Sequence, residues 1–248
     1  MFSELSRLKN LSNQEPHLNF LKEYTAVKLI DRLFFHKKLP EIVNNLSLND
    51  CFIPKLLKEK CIDFSSYSYL IEPEYIYINL NKSDACLSNL SLHQSNDIPG
   101  VLSIINKSLN NNGILIGSIY GYGSISSIKN IFYEAEESST KSVVNRFTPL
   151  IKAKDMLNLI TRAGFSHSIV DVEEIPISYF SLNSAINDLR VLGEKNILNK
   201  KYILSRKTIN EFENIFNSSK LHGAHETSVF IIYFYGVKVN NSQKLGPA

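Results

Sequence analysis

Apolar positions along the chain follow two periods, and the switches between them mark the elements. Leu18, Leu21, Val27, Ile30 and Phe34 fall near helical spacing within 18–38. This predicts an amphipathic helix whose basic last turn meets the negative end of its dipole and which Pro40 stops. EIVNNLSL (41–48) then reads as a short strand, and PKLLKEKCI (54–62) as a helix opened by Pro54. YIYINL (75–80) and DACLSNLSL (84–92) carry the apolar, aromatic or β-branched content expected of strands. Val101, Ile104, Ile105 and Leu109 mark a further helix, with Gly113 as its expected left-handed cap and ILIGSIY (114–120) as a buried strand. The strand–helix–strand order over 84–120 is a βαβ unit, which requires parallel strands. Helices are predicted over 152–163, where Gly164 ends the pattern, and over 181–192 and 207–217. HSIVDVEEIPISY (167–179) and SVFIIYFYGVK (228–238) complete the series as candidates for an antiparallel edge pair. The pattern is α/β with a mostly parallel sheet.

Composition changes this picture only by exclusion. Of 248 residues, 44% are apolar and 21% charged, so there is apolar surface enough to offset chain ordering, and a disordered chain or a fibre is excluded. Lys and Arg outnumber Asp and Glu by only 27 to 24, scattered along the chain, which is no nucleic-acid footprint. Cys51, Cys61 and Cys86 form neither a disulfide framework nor a zinc knuckle. No run of 18 apolar residues spans a membrane, and the first 20 residues lack a signal-peptide core. A reduced, cytoplasmic location follows as the expectation, in a bacterial-type or mitochondrial-matrix-like compartment.

DACLSNLSLHQSNDIPG (84–100) is where the pattern becomes specific. It resembles the fourth-strand segment of class I methyltransferase-like proteins, which use S-adenosylmethionine (SAM). The branch it is most similar to holds the methyltransferase of biotin synthesis and the assembly factor that hydroxylates an arginine in respiratory complex I. That branch reads S-x-L-x-L-H-W-x-N-D-L-P-G, with Gln94 here in place of the Trp. LNNNGILIG (109–117), RFTP (146–149), AGF (163–165) and FLKE (20–23) extend the resemblance over about residues 18–238. DLRVLGEKN (188–196) resembles the D-L-R-x-M-G-E-x-N block of the complex I assembly branch. The resemblance implies a Rossmann-like class I methyltransferase sheet in one domain over 1–240, with a helical lid insertion about 178–218 and a disordered tail at 241–248. It also implies a protein partner or substrate, with Tyr120, Asp188, Arg190 and Glu194 as candidate contacts. On a helix, Arg190 and Glu194 share a face, and a surface ion pair is the competing reading.

One departure is decisive in kind. Such an enzyme holds SAM in an acid-Gly-x-Gly loop after its first strand, because only Cβ-free backbone approaches the amino-acid end of the cofactor closely. That loop falls on VNNLSL (43–48), and the first glycine of the chain is Gly100. The interval from Pro40 to Asp84 is also about 15–20 residues short, so the sheet is expected to be truncated near its second strand. Asp63, Glu72 and Glu74 remain as ribose-binding candidates, each read more simply as a solvated loop carboxylate. Residues positioned to touch a cofactor are Asn44, Ser47, Ser88 and Leu90. The expectation is a degenerate member without SAM catalysis, with no catalytic residue and no metal assigned, acting as a binding or assembly factor. The alternative is an active SAM-dependent methyltransferase or hydroxylase on a protein or acyl-carrier substrate.

The other candidates have plainer readings. His93 at a strand end is read as a hydrogen-bonded core histidine, and the Gly121-Tyr122-Gly123 stretch as a turn. His222 and His225 lack a helix to align them on a metal, and Glu134, Glu136 and Glu137 are read as a solvated helix face. No Ser-His-Asp constellation is legible.

Overall fold

The computed structural model describes residues 20–239 except 37, 49, 67–70, 80, 145–146, 148 and 192–204. The elements in chain order are α1 (Phe20–Phe34), β1 (Ile42–Asn45), α2 (Phe52–Glu59), β2 (Asp63–Ser66), α3 (Pro73–Asn79) and β3 (Ser83–Asn89). A 3₁₀ turn at Leu92–Gln94 leads to α4 (Ile98–Ser108), β4 (Leu109–Tyr120), α5 (Ser126–Thr140) and α6 (Ala153–Arg162). Then come β5 (Phe165–Tyr179), α7 (Leu182–Val191), α8 (Arg206–Ser218) and β6 (His225–Lys238). Six strands form one sheet in the order β2-β1-β3-β4-β6-β5. The pairs β1–β2, β1–β3 and β3–β4 are parallel, as the βαβ pattern requires, and β6 runs antiparallel to β4. The strand order reverses between β1 and β3, so the chain leaves their carboxyl ends in opposite directions and opens the position where such sheets bind ligands.

The described residues fall into two compact units. One comprises 20–120, 151–173 and 231–239. Its core is built by Leu21, Leu29 and Leu33 of α1 with Val43, Leu87, Leu115 and Ile116 of the sheet, all essentially buried. The other comprises 121–150 and 174–230, where Ile128, Phe132 and Ala135 of α5 pack with Tyr179, Ala185, Phe212 and Phe216.

Two expectations change. YIYIN folds as α3 rather than as a strand: Pro73 and Glu74 supply a helix start, and Ile76 turns inward while Tyr75 and Tyr77 stay exposed. Gly113 does not cap α4; the helix passes at Ser108 directly into β4, and Asn112 takes the left-handed conformation at φ 61°. The interval from Pro40 to Asp84 holds two four-residue strands and helices of eight and seven residues. Gly164 does end its helix, at φ +93°.

Candidate functional site

The site is defined by the carboxyl ends of β1, β3 and β4. β1 runs into Leu46-Ser47-Leu48, the stretch where a cofactor loop is expected, and its backbone N–H groups are tied to β3, to Ser91 just beyond it and to Asn45 of β1. Leu46 N donates to Leu87 O at 2.8 Å, and Leu48 N to Ser91 Oγ at 2.8 Å. Ser47 Oγ accepts from Asn89 N at 2.9 Å while Ser47 N donates to Asn45 Oδ1. Leu46 and Leu48 are 0% and 1% exposed. The segment therefore extends the pairing with β3 and buries two leucines, where glycines would leave backbone open to a ligand.

The four expected cofactor residues lie together here, all buried. Asn44 donates to Asn81 O at 2.7 Å and Ser83 Oγ at 2.9 Å, so its amide is used along the strand. Ser88 Oγ approaches Leu46 O at 3.4 Å. Leu90 has φ 44°, a left-handed backbone that costs a non-glycine residue about 1–2 kcal/mol, and its N–H is fixed by Ser118 O and Oγ. Tyr120, ending β4, is 2% exposed and packs edge-on to His93, with ring centroids 5.0 Å apart. Asp188 and Arg190 belong to α7, but their side chains and the whole of Glu194 lie outside the described residues, as does 241–248.

A polar network that sequence reasoning missed occupies the same strand ends. Asn89 is its hub. Its Oδ1 accepts from Thr25 Oγ1 at 2.6 Å and Ser118 Oγ at 2.9 Å; its Nδ2 donates to Lys22 O at 2.8 Å and Asp50 Oδ2 at 2.7 Å. Lys22 Nζ donates to Leu48 O at 2.8 Å, and Asp50 Oδ1 accepts the first N–H groups of α2, Phe52 and Ile53. Burial lowers the Lys22 amine to about 8, with Asp50 and Cys51 opposing. Burial likewise raises Asp50, against the hydrogen bonds from Asn89, Phe52 and Ile53 and the charge of Lys22. The available signal was Lys22 and Thr25 on the same face of α1 as Leu21, Ala26 and Leu29: polar residues on an apolar face require partners.

Two carboxylates differ from their solvated reading. Glu72 is buried and accepts from Asn96 N at 3.1 Å and Ser95 Oγ at 3.3 Å, which holds the turn before α4. Glu136 is 3% exposed and accepts from Val144 N at 2.9 Å. Asp63 and Glu74 stay outside the core, in β2 and the first turn of α3. Asp84 sits at the opposite ends of the strands. Partial burial opposes its ionisation, but hydrogen bonds from Asn110 and from the N–H groups of Glu41 and Ile42 hold it below the usual carboxylate range. Among the described residues no cluster of three His, Cys, Asp or Glu could hold a metal, and no helix is long and apolar enough to cross a membrane.

This sheet and its strand order define the class: the fold is that of the class I SAM-dependent methyltransferases. A Bacillus halodurans structure assigned as a candidate methyltransferase superposes with TM-score 0.55 over 87% of this chain and 99% of that one, at 11% identity. Within that class the chain is homologous to the protein named arginine-hydroxylase NDUFAF5, mitochondrial, of Danio rerio, at 29% identity over 208 residues. That match covers 82% of this chain, which spans 64% of the zebrafish protein's length. A candidate methyltransferase of Rickettsia prowazekii, RP459, is 26% identical over 73% of this chain and 78% of its own. No family model matches the chain.

Proposed function

We propose that this chain is a methyltransferase-fold protein whose cofactor cradle has been replaced by its own side chains, and that it works as a binding or assembly factor, for respiratory complex I. The observation that carries this reading is the segment after β1. Leu46 and Leu48 are buried over the strand ends, and the N–H groups of Leu46, Ser47 and Leu48 already have partners. The residues present do not fit the amino-acid end of SAM, because close backbone approach needs the missing Cβ of glycine. Beside them the Lys22 amine, the Asp50 carboxylate and the Asn89 amide are joined in one buried hydrogen-bonded network, which supports the reading. The assembly role is supported by the homologues' NDUFAF5 name and the 188–196 block, with Asp188, Arg190 and Glu194 as partner contacts.

A second reading, a working SAM-dependent methyltransferase or hydroxylase, is favoured by the activity that the zebrafish homologue's name states. Calorimetric titration of the purified chain with SAM and with S-adenosylhomocysteine separates the two. The expected result is neither heat nor thermal shift at millimolar ligand. Micromolar binding would overturn the proposal and establish the second reading.

A further inference from the structure

The unit made of 121–150 and 174–230 contains a hydrogen-bonded chain of three side chains that the strand-end site does not use. His225 Nε2 lies 3.0 Å from Ser127 Oγ, in the first turn of α5, and its Nδ1 lies 2.8 Å from Ser219 Oγ, at the end of α8. Ser219 Oγ lies 2.8 Å from both Phe216 O and Nδ1. With its single hydroxyl proton given to Phe216 O it faces Nδ1 as an acceptor. In that arrangement Nδ1 carries the ring proton, and Nε2 presents its lone pair to the Ser127 hydroxyl. The other acceptor near Ser127, Glu226 O, is farther away at 3.4 Å.

The surroundings suit a base. His225 is 6% exposed, and the Phe216 ring flanks it with centroids 5.4 Å apart, so the imidazole is held in one orientation. Burial pushes it below the ordinary histidine range, against the hydrogen bonding at Ser219. Ser127 is only half-buried, with exposed Ser126 and Glu226 beside it. It follows a turn in which Gly123 and Ile125 have φ 94° and 49°, and it lies at the positive end of a 15-residue helix, where negative charge is favoured.

We propose that Ser127 is a nucleophile toward unhindered carboxylic esters, with His225 as its general base and Ser219 as a positioning residue. Ser127 Oγ adds to the acyl carbon as its proton passes to Nε2. The ester C–O bond then breaks, and the departing alcohol takes that proton. Water adds to the acyl-serine, again giving a proton to Nε2, and the carboxylic acid leaves as the proton returns to Ser127. One ester and one water give one acid and one alcohol, with no change of oxidation state.

The test uses the full chain with a fluorophosphonate probe, the adduct located by peptide mass spectrometry, and p-nitrophenyl acetate turnover measured in parallel. A single adduct on Ser127 is expected, absent in Ser127→Ala, whose half-exposed site leaves the fold intact by thermal melting. His225→Gln is expected to slow labelling and turnover about 100-fold or more. Ser219→Ala is expected to shift the midpoint of the pH–rate profile as well as the rate, which a purely structural serine would not do. A folded wild-type chain that leaves Ser127 unlabelled overturns the proposal, as does labelling of His225→Gln at the wild-type rate.

Discussion

Replacing Asn89 by leucine tests whether the polar network at the strand ends is structural in its own right. The amide makes four hydrogen bonds of 2.6–2.9 Å inside the core, at a residue 0% exposed. Not all four partners would be stranded. Thr25 Oγ1 also lies 2.7 Å from Leu21 O and can direct its proton there. Ser118 Oγ would keep the N–H of Leu90 but lose the acceptor for its own proton. Asp50 Oδ2 would lose its donor in a site where burial already disfavours its charge. One orphaned hydroxyl and one weakened buried carboxylate, at about 1–3 kcal/mol each, give an expected loss of about 2–6 kcal/mol. Urea denaturation followed by circular dichroism measures it. Asn110→Ala, which removes a partly exposed hydrogen bond to Asp84, serves as the comparison and should cost about 1 kcal/mol or less. If Asn89→Leu loses no more than Asn110→Ala, the network is not holding the strand ends, and the account of the filled cradle loses its energetic basis.

Two further substitutions probe the same unit. A Cβ on Gly117 would lie 2.2 Å from Cζ of Phe234, its buried antiparallel partner, so Gly117→Ala should cost about 1–3 kcal/mol by urea denaturation. Adding Phe234→Leu should recover part of the loss, and full additivity would refute the contact. Glu173 accepts from Tyr24 at 2.6 Å, Lys28 at 2.5 Å and Tyr233 at 3.0 Å; partial burial opposes its charge, but these donors hold its carboxyl below the usual glutamate range. A depressed folded-state value means stability present above the unfolded value and lost as pH falls through the folded one. Glu173→Gln should therefore flatten the acid limb of thermal stability below about pH 4.5, and an unchanged limb would contradict the assignment.

Much of the architecture was legible because periodicity and punctuation are local. Helix α1, strand β4 and the glycine after α6 followed from side-chain spacing and from Gly164, with no knowledge of the fold. YIYIN was misread because aromatic and β-branched content is a weak prior that a proline start can override. Gly113 was misread because composition cannot tell which of four consecutive residues takes the left-handed conformation.

The candidate site divides along the same line. Absence of glycine before Gly100 is a property of the sequence alone, and so is the resemblance that places Asn44, Ser47, Ser88 and Leu90 at the strand ends. What fills those ends was decided only by tertiary structure. Asn89 meets Lys22 across 67 positions and Asp50 across 39, and His225 meets Ser127 across 98. A hydrogen bond needs its atoms within about 3 Å and aligned, which no spacing along a chain encodes at such separations. Hydrophobic pattern selects which face goes inward; folding alone selects which polar groups then find one another there.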